Sequence, residues 1–471
     1  MPPAPSPAIG LTRQGLARFS VGDFRQAEQA FRTVVEVAPH EAIAWNNLAM
    51  VLVSLGELAQ AEPALSRSLA IEPAQAGVWI SLASVLLRQA RPLEAQTACD
   101  AALALGAANP EAWHILALAR TALEDFPGAA EAFARTIALA GETAALRLNL
   151  GAALMRCGRF DAAQASVTQA VSLDPASTAA VGIRRVCDLI VSATGGDLAA
   201  VTAMADERAL GAPDATDSVF KTALLYLGEF DHPQAAALIA EAWAALRPDS
   251  IEAAHLRDAA LARLADRQPA ALVERHFDEI AWDFDDRLVR RLGYHGPERI
   301  EALLGPRMAA DGSRDILDLG CGTGLCAGVL RPFARHLAGV DLSPKMLQKA
   351  RATGLYDTLE VADLFAALAG GEARWDLIVA ADTFPYLGAL EGVFEAVARV
   401  LTPGGWFVFS TEHMDGDGYL LRGNGRYAHG AAYIDAVAEP CFDIVLREES
   451  MLRREGGRIV DGGYYLLRLR A

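Results

Sequence analysis

Three glycines at alternate positions, Gly320, Gly322 and Gly324, form a loop that could hold a ligand against the backbone. An apolar run that begins at Asp315 leads into them, which predicts a buried strand followed by a glycine turn and a helix. Glycine permits this close approach because it has no Cβ. The spacing is G-x-G-x-G, since Leu325 stands where a dinucleotide fingerprint would have its third glycine.

A carboxylate follows the next apolar run, 23 residues after Asp318. That run ends in Gly339, Val340 and Asp341, so the acidic side chain falls at the tip of a second predicted strand. A carboxylate at this place can accept hydrogen bonds from both hydroxyls of a ribose. The glycine loop and Asp341 together predict that a nucleoside lies across the ends of the two strands.

Several side chains that could move a proton follow the fourth and fifth apolar runs. Asp382, Tyr386, Glu412 and His413 lie at or just after the ends of those predicted strands, where open α/β sheets bind their ligands. His429 could also take a proton near neutral pH, although a single histidine is more often structural. The dispersed cysteines and histidines lack the spacing of metal ligands, so no metal site is predicted.

The positions of these side chains depend on a change of pattern after Pro269. Short apolar runs alternate with amphipathic segments from there onward, which is typical of a parallel sheet covered by helices. Two further apolar runs, at residues 441–453 and 459–469, flank a turn signal at 455–458 and predict an antiparallel hairpin. The second half is therefore predicted to be an α/β domain.

The N-terminal half is dominated by a repeat of 34 residues. Shifting the sequence by that period aligns five alanines, which are Ala27, Ala61, Ala95, Ala129 and Ala163. A second column of small residues holds Gly15, Ala49, Ala83, Ala117 and Gly151. Small residues in both columns fit two helices that approach closely within each repeat.

Glycines mark the turn between the two helices of a repeat. Gly22, Gly56 and Gly158 occupy this place in three repeats. Ala90 and Glu124 replace the glycine in two others, and we expect a bent junction there.

The repeat resembles the tetratricopeptide repeat family, whose tryptophan, leucine and small-residue pattern is matched at residues 45–49 and in later columns. The resemblance covers residues 9–177 and implies five repeats in an all-α solenoid. It also implies a groove that binds a protein or peptide partner. Residues 1–8 are interpreted as an N-terminal tail and residues 178–265 as divergent, capping helices of the same kind.

The second half resembles the class I S-adenosylmethionine-dependent methyltransferases. Five ordered motifs carry the resemblance: D-L-G-C-G-T-G from Asp318, D-L-S-P-K-M-L from Asp341, E-V-A-D-L around Asp363, and the strands at residues 375–382 and 401–410. The resemblance implies a Rossmann-like domain at residues 299–471. Its sheet would be mostly parallel and seven-stranded, with the antiparallel hairpin at its C-terminal edge.

The same resemblance implies S-adenosylmethionine as the cofactor. The implied binding residues are Asp318, Gly320, Cys321, Gly322, Gly324, Asp341, Leu342, Asp363, Leu364 and Ala380. Asp341 would bind the ribose, while Asp363 and the backbone N–H of Leu364 would bind the adenine. Asp382, Tyr386 and His429 are the candidate catalytic residues.

A segment ahead of the core, residues 275–288, resembles the mobile helical lid of small-molecule members of this superfamily. Residues 266–298 are accordingly interpreted as a lid and linker. The aromatic residues Phe277, Trp282 and Phe284 could close over the cofactor, or they could pack the helix against the sheet or the solenoid.

The amino-acid composition and net charge limit the classes of partner that the protein can bind. The 471 residues are 52% hydrophobic, and 42 basic against 59 acidic residues give a net charge of −17, which disfavours nucleic acid as a partner. No signal segment or long apolar run is found, and the cysteine pattern suits a reducing compartment. We therefore expect a cytoplasmic protein that does not bind a membrane.

Three functions fit these features. The first is a methyltransferase whose repeats recruit a protein or peptide substrate. The second, ranked nearly equal, is a biosynthetic methyltransferase of a small or carrier-bound metabolite, with the repeats serving assembly. The third is a non-catalytic scaffold that binds the cofactor and partner proteins. The intact motif residues Asp318, Gly320, Asp341 and Asp363 disfavour the scaffold.

Overall fold

The chain divides into two compact units, residues 1–191 and 192–471. The computed structural model describes residues 7–106, 108–204, 213–263, 265–370, 373–455 and 458–470. In the first unit these residues form helices joined by short turns. The helices are α1 Pro7–Ser20, α2 Phe24–Val37, α3 Ala42–Ser54, α4 Leu58–Ile71, α5 Ala76–Arg88, α6 Pro92–Leu105, α7 Pro110–Ala122, α8 Phe126–Ala140, α9 Ala144–Met155, α10 Phe160–Leu173 and α11 Thr178–Thr194.

Both columns of small residues lie at the close approach of paired helices. Ala27 and its four equivalents in the later repeats are completely buried. A Cβ on Gly15 would lie 2.7 Å from the ring of Phe31, and a Cβ on Gly151 would lie 2.2 Å from Val167. Larger residues are therefore excluded by the neighbouring helix, which accounts for the 34-residue period.

The tryptophan column forms the same hydrogen bond in successive repeats. Trp45 Nε1 donates to the main-chain oxygen of Pro39, and Trp79 Nε1 donates to that of Pro73, both at 2.9 Å. Each bond ties the first helix of a repeat to the end of the preceding helix. The all-helical repeat fold predicted from the sequence is confirmed.

The junctions at Ala90 and Glu124 keep the glycine-type turn, so the expected bend is wrong. Their φ angles of 59° and 60° lie in the same left-handed region as the 79° of Gly22. The turn at Ala90 closes with a hydrogen bond of 3.0 Å from Arg91 N to Leu86 O. A residue with a Cβ costs ~1–2 kcal/mol in this conformation, and the packing of the repeat overrides that local preference.

The second unit contains four helices ahead of the sheet domain, and the last of them packs on it. They are α12 Leu198–Met204, α13 Pro213–Glu229, α14 Pro233–Leu246 and α15 Ile251–Ala260. In α15, His255 Nε2 lies 3.0 Å from the main-chain oxygen of Gly425, and Ala259 packs with Leu421 and Tyr427. These helices therefore share a compact unit with the sheet.

Along the chain, a further helical segment lies between α15 and the first strand of the sheet. It consists of α16 Ala270–Ile280, a π-helical turn Asp286–Arg291 and α17 Gly296–Leu304. Within the described part of the chain, no helix has both the length and the apolar character needed to cross a membrane.

The sheet contains the predicted parallel core and antiparallel hairpin. Its strands are β1 Arg314–Leu319, β2 Ala334–Asp341, β3 Thr358–Val361, β4 Trp375–Ala380, β5 Leu401–Met414, β6 Tyr419–Leu421, β7 Tyr427–Gly430, β8 Phe442–Glu455 and β9 Arg458–Leu469. The parallel strands run in the order β3-β2-β1-β4-β5. Antiparallel β9 pairs with β5 and β8 pairs with β9, which completes the seven predicted strands.

Two short strands extend this seven-stranded arrangement. Glu412 of β5 pairs with Ala428 of β7 and also with Gly462 of β9. β7 and β9 must therefore lie on opposite edges of β5. β7 pairs with the same edge as β4, in the part of β5 that extends beyond the end of β4. β6 then pairs with β7. This added hairpin lies at the carboxyl end of β5, next to the ends of the parallel strands.

Helices cover both faces of the sheet. They are α18 Ala327–Leu330, α19 Pro344–Ala352, α20 Leu364–Ala367, α21 Glu391–Val400 and α22 Ala431–Ala438, together with α17. Side chains alternate between two hydrophobic clusters, as Leu377 packs with α17 and α18, and Ile378 packs with α21 and α22. The strands are thus buried on both faces, which is why they read as continuous apolar runs.

Candidate active site

The glycine loop after β1 has a left-handed backbone at Gly320, Gly322 and Gly324, with φ angles of 69°, 55° and 90°. A Cβ on Gly320 would lie 2.5 Å from Thr383 Oγ1, and one on Gly324 would lie 3.1 Å from a tyrosine ring. A Cβ on Gly322 would come no closer than 4.0 Å to its nearest described neighbour, Phe284. Two glycines are therefore required by protein neighbours, and Gly322 borders open space.

Asp341 connects the end of β2 to the glycine loop. Its Oδ2 accepts a hydrogen bond of 2.9 Å from the Gly322 N–H, and its Oδ1 accepts one of 2.8 Å from the Ser343 N–H. Burial raises the pKa of this carboxyl group, although hydrogen bonds from the N–H groups of Ser343, Gly322 and Leu342 oppose the shift. The carboxylate is therefore fixed beside Gly322.

Asp318 lies beneath the loop and is 1% exposed. Its Oδ2 accepts a hydrogen bond of 2.6 Å from the hydroxyl of Tyr356, the residue whose ring packs beside Gly324. Burial raises the pKa of Asp318 to about 7, which the hydrogen bond from Tyr356 opposes and the charge of Asp341 reinforces. The contacts of Asp318 therefore hold the loop from below.

Asp363 caps the helix that follows β3. Its Oδ1 accepts a hydrogen bond of 2.9 Å from the Phe365 N–H, and its Oδ2 lies 3.1 Å from Arg267 Nη1. Leu364 is the first residue of α20. An adenine amino group would have to share Oδ2 with Arg267.

The other predicted cofactor residues lie close by in the chain. Leu342 follows Asp341, Cys321 packs with Leu347 in a small cluster behind the loop, and Ala380 is completely buried at the end of β4. The structure thus brings the predicted residues to the carboxyl ends of four neighbouring parallel strands.

The lid segment is closed over the glycine loop. Ser343 Oγ donates a hydrogen bond of 2.6 Å to Asp278, and Thr323 Oγ1 donates one of 2.5 Å to Asp285. Lys349 Nζ donates a third, of 2.9 Å, to a main-chain oxygen of the lid. The hydroxyl donors belong to the loop after β1 and the turn after β2, so the lid bridges the two parts of the predicted nucleoside site.

The three aromatic residues of the lid do not act together. Phe277 packs edge-to-face against Phe284 and Tyr386, with ring centroids 5.9 and 5.3 Å apart. Trp282 is 77% exposed. In this conformation the Trp282 side chain is exposed to solvent, so its closure over the cofactor stays a prediction.

Asp382 follows β4 in a left-handed conformation, with φ of 52°. Its N–H donates to Ser410 Oγ at 2.9 Å, and its Oδ1 lies 3.2 Å from Arg453 Nη1. The next residue, Thr383, donates to the main-chain oxygen of Leu319 at the start of the glycine loop. Such a backbone costs ~1–3 kcal/mol for a residue with a side chain, so packing holds Asp382 beside the loop.

Asp382 belongs to a buried ion network, defined by Asp382, Glu412, Arg426, Arg453 and Glu455. Arg453 is 1% exposed and directs its three nitrogens to three carboxylates: Nη1 to Asp382, Nη2 to Glu412 and Nε to Glu455. Arg426 Nη1 lies 2.6 Å from the same Glu455 oxygen that Arg453 contacts. Each nitrogen of Arg453 therefore contacts a carboxylate of the network.

Burial and charge act differently on the carboxyl groups of this network. Burial raises the pKa of Asp382, although the charges of Arg453 and Arg426 oppose it. Burial also disfavours ionisation of Glu455, but the two arginines outweigh it and lower its pKa to about 2. Of Asp382 and Glu455, Asp382 is thus the carboxylate that can accept a proton nearer to neutral pH. Among the described residues, its Oδ2 has no hydrogen-bond partner.

Tyr386 and His276 border the network from the side of the lid. The guanidinium carbon of Arg426 lies 5.9 Å from the centroid of the Tyr386 ring. Burial, followed by the charges of Arg426 and Lys221, lowers the pKa of His276 to about 4, so its ring is neutral near pH 7. In the described part of the chain, neither the Tyr386 hydroxyl nor the His276 ring has a hydrogen-bond partner.

His429 lies away from these groups. It is completely buried in β7, with Nε2 3.1 Å from the Gly388 oxygen and its ring stacked on Tyr433. Burial lowers its pKa to about 4. Its register partner in β5 is His413, which lies 3.7 Å from Asp415. Among the described residues, no hydrogen bond or ion pair joins either histidine to Asp382.

Sequence reasoning missed Arg426, Arg453 and Glu455. They come from the β6–β7 turn, which the sequence analysis did not predict, and from the antiparallel hairpin, to which it assigned no site residue. One signal was available, because Arg453 follows Leu452 in an apolar strand, and both side chains are buried. A charged residue at a buried strand position requires ionic partners.

Family models match both units. The model described as "Methyltransferase domain" matches residues 317–409. "Cytochrome c-type biogenesis protein H TPR domain" matches residues 11–145, and "Tetratricopeptide repeat" matches residues 144–177. The first match includes the glycine loop and the carboxylates that follow β2, β3 and β4.

The curated relatives are similar to the second unit. A "Ubiquinone biosynthesis O-methyltransferase" of Thiobacillus denitrificans is 33% identical over 115 residues, which are 23% of this chain and 48% of the relative. Its counterpart in Chromobacterium violaceum is 29% identical over 147 residues, covering 30% and 61%. The chain thus spans about half the length of the curated relatives it matches.

Solved structures are similar to each unit separately. The N-methyltransferase NodS of Bradyrhizobium japonicum, in complex with S-adenosyl-L-homocysteine, is 18% identical with a TM-score of 0.33, covering 42% of this chain and 98% of NodS. MamA of Desulfovibrio magneticus is 19% identical with a TM-score of 0.35, covering 37% and 99%. The family models thus identify tetratricopeptide repeats in the first unit and a methyltransferase domain around the glycine loop of the second.

Proposed function

We propose that the chain transfers a methyl group from S-adenosylmethionine to a hydroxyl or carboxyl oxygen of a small acceptor enclosed beneath the lid. The observation that carries the proposal is the position of Asp382. Its strained backbone holds a carboxylate with one unpaired oxygen next to the glycine loop. The name of the curated relatives, O-methyltransferases of ubiquinone biosynthesis, supports oxygen as the methylated atom.

The residues that would hold the cofactor fit a nucleoside with an attached amino acid. Gly322 borders open space, Asp341 presents lone pairs beside it, and Asp363 with Leu364 lies at the next strand end. Cys321, Leu342 and Ala380 would complete the binding surface. When bound, S-adenosylmethionine supplies a methyl group that its sulfonium has already activated.

The chain's own residues would orient the acceptor, exclude water and accept the proton. The ends of β4 and β5 would orient the acceptor, and the lid would exclude water. Asp382 Oδ2 would take the proton from the acceptor oxygen as the new carbon–oxygen bond forms. Arg453 would keep the Asp382 carboxylate in place. The second candidate catalytic residue, Tyr386, would contact the acceptor, whereas the buried contacts of His429 give it a structural role.

We propose the following organisation for the whole chain. Residues 9–177 hold five repeats, and residues 178–265 hold divergent helices. The tail expected at residues 1–8 is shorter, because α1 already begins at Pro7, and residues 1–6 lie outside the described part of the chain. Residues 266–298 are the lid and linker, and residues 299–471 are the methyltransferase domain. The helices at 192–263 support the catalytic domain directly, because α15 packs on the β6–β7 turn that supplies Arg426.

The repeats are proposed to bind a protein or peptide partner. A cleft of about 440 Å³ within the first unit supports this role, and apolar residues Trp45, Leu48 and Leu52 line it together with Arg32 and Arg67. The partner would deliver a small or carrier-bound acceptor or would itself be methylated. All six cysteines are free thiols, which supports a cytoplasmic location for this assembly.

A labelling experiment separates the proposed function from its alternatives. The full-length chain is incubated with tritiated S-adenosylmethionine and with two separated fractions of cell extract, small molecules and proteins. We expect label in the small-molecule fraction, and the variant Asp382→Asn should lower the rate by ~100-fold or more. Label confined to proteins would support the peptide substrate, and absence of transfer despite cofactor binding would support the scaffold.

A further inference from the structure

We propose that the acceptor is a planar, acidic molecule whose anionic group is bound by Arg426. The inference rests on the proposed function, because it concerns the substrate side of the same site. It follows from two features that meet beside the lid: an arginine with donors that no described residue accepts, and aromatic rings next to it.

Arg426 differs from Arg453 in the use of its donors. Arg453 is 1% exposed, and each of its three nitrogens already contacts a carboxylate, so it is not open to a ligand. Arg426 uses only Nη1, which lies 2.6 Å from Glu455 and 3.7 Å from Glu412. In the described part of the chain, its Nε and Nη2 have no acceptor. These two nitrogens lie on one edge of the guanidinium plane, which matches the two oxygens of a carboxylate.

Aromatic rings indicate the shape of the acceptor. The Arg426 guanidinium lies over the face of Tyr386, and that ring packs against Phe277 of the lid. Phe277 in turn contacts Phe284, the ring nearest to Gly322. A flat conjugated molecule can lie against these rings while its acidic group reaches Arg426. The unpaired hydroxyl of Tyr386 offers a further donor.

The turn that carries Arg426 is held in place from behind. His255 of α15 contacts the main-chain oxygen of Gly425, and the Cβ position of Gly228 in α13 is 3.6 Å from Gly423. The guanidinium is therefore positioned before a ligand arrives. A preformed site of this kind loses little entropy on binding.

Two probes that differ by one charge test the inference. Benzoate and benzamide have nearly the same shape, and their binding to the full-length chain saturated with S-adenosylhomocysteine is measured by ligand-observed NMR titration. We expect benzoate to bind at least ~10-fold more tightly than benzamide. Arg426→Gln should remove the preference and Arg426→Lys should retain part of it. Arg454→Gln, an exposed arginine of the same β8 strand as Arg453, should leave it unchanged.

The preference in the unsubstituted chain decides the question even if Arg426→Gln fails to fold. Equal affinity for the two probes would overturn the inference, and so would a preference that survives in a folded Arg426→Gln chain. S-adenosylhomocysteine affinity is measured in parallel. If S-adenosylhomocysteine does not bind, the result counts against the proposed methyl transfer alone. If it binds normally but benzoate is not preferred, the result counts against the anionic acceptor alone.

Discussion

The cofactor end and the acceptor end of the site lie at the same edge of one sheet but are built differently. At the cofactor end, the N–H of Gly322 and the carboxylate of Asp341 belong to two short motifs and meet at 2.9 Å. At the acceptor end, the five charges of the ion network come from four separate segments between residues 382 and 455. Local sequence thus forms the proposed cofactor site, while long-range folding assembles the ion network that we propose contacts the acceptor.

The largest difference between the two ends is expected on removing Arg453. Arg453→Met leaves Glu412, which is 1% exposed, and two further carboxylates without their central cation. Unpaired buried charge costs ~3–5 kcal/mol. We expect the second unit to lose that much free energy of unfolding. Urea unfolding of the full chain measures it, with the transition of this unit identified by its shift on adding S-adenosylhomocysteine.

The matched control for this prediction is Arg454→Met, which removes an exposed arginine from the neighbouring position. It should change the unfolding free energy by less than ~0.5 kcal/mol. The double variant Arg453→Met/Glu412→Gln should recover part of the loss because it removes one unpaired charge. Equal effects of Arg453→Met and Arg454→Met would show that the ion network does not stabilise the acceptor end.

At the cofactor end we expect an effect on binding. Asp341→Ala removes charge-assisted hydrogen bonds to a ribose and should weaken S-adenosylmethionine by ~30- to 1000-fold, or ~2–4 kcal/mol. Asp363→Ala should have a smaller effect, because one Asp363 oxygen caps α20 and the other already pairs with Arg267. Calorimetry on the full chain compares the two variants. A larger loss for Asp363→Ala would reverse the assigned roles.

Asp318 gives the cofactor end a pH dependence of its own. Its pKa is about 7 in the folded chain because of burial, against an ordinary value of 3.8. Such a group stabilises the fold fully below about pH 4, and its contribution is lost as the pH rises through 7. Between pH 5 and 8, the free energy of unfolding of the second unit should fall by ~2–3 kcal/mol more in the unsubstituted chain than in the Asp318→Asn variant. Identical pH profiles would show that Asp318 is ionised in both states.

The sequence predicted the features that depend on neighbouring residues. The 34-residue columns, the parallel sheet covered by helices and the C-terminal hairpin all follow from local periodicity, and the structure confirms them. Asp382 was identified for the same reason, since it directly follows an apolar run. Such features need no knowledge of which distant segments meet.

The features that escaped prediction depend on contacts between distant segments. Arg453 and Asp382 are 71 positions apart, and no periodicity links a strand at the sheet edge to the loop after β4. Ala90 and Glu124 show the same limit at short range, because repeat packing imposes a conformation that the residue type disfavours. The burial of His429 likewise depends on β7 extending the edge of β5, which no local pattern indicated.

The smallest expected effect concerns the lid, where the sequence suggested equal roles for three aromatic residues. Trp282 is 77% exposed, whereas Phe277 contacts both Phe284 and Tyr386. Trp282→Ala should change S-adenosylhomocysteine affinity by less than ~2-fold, and Phe277→Ala should weaken it by ~3- to 10-fold, because it removes aromatic packing worth ~1 kcal/mol beneath the lid. Calorimetry at one pH and salt concentration compares them. If Trp282→Ala proves as costly as Phe277→Ala, the lid must adopt a second closed position in which the indole turns inward.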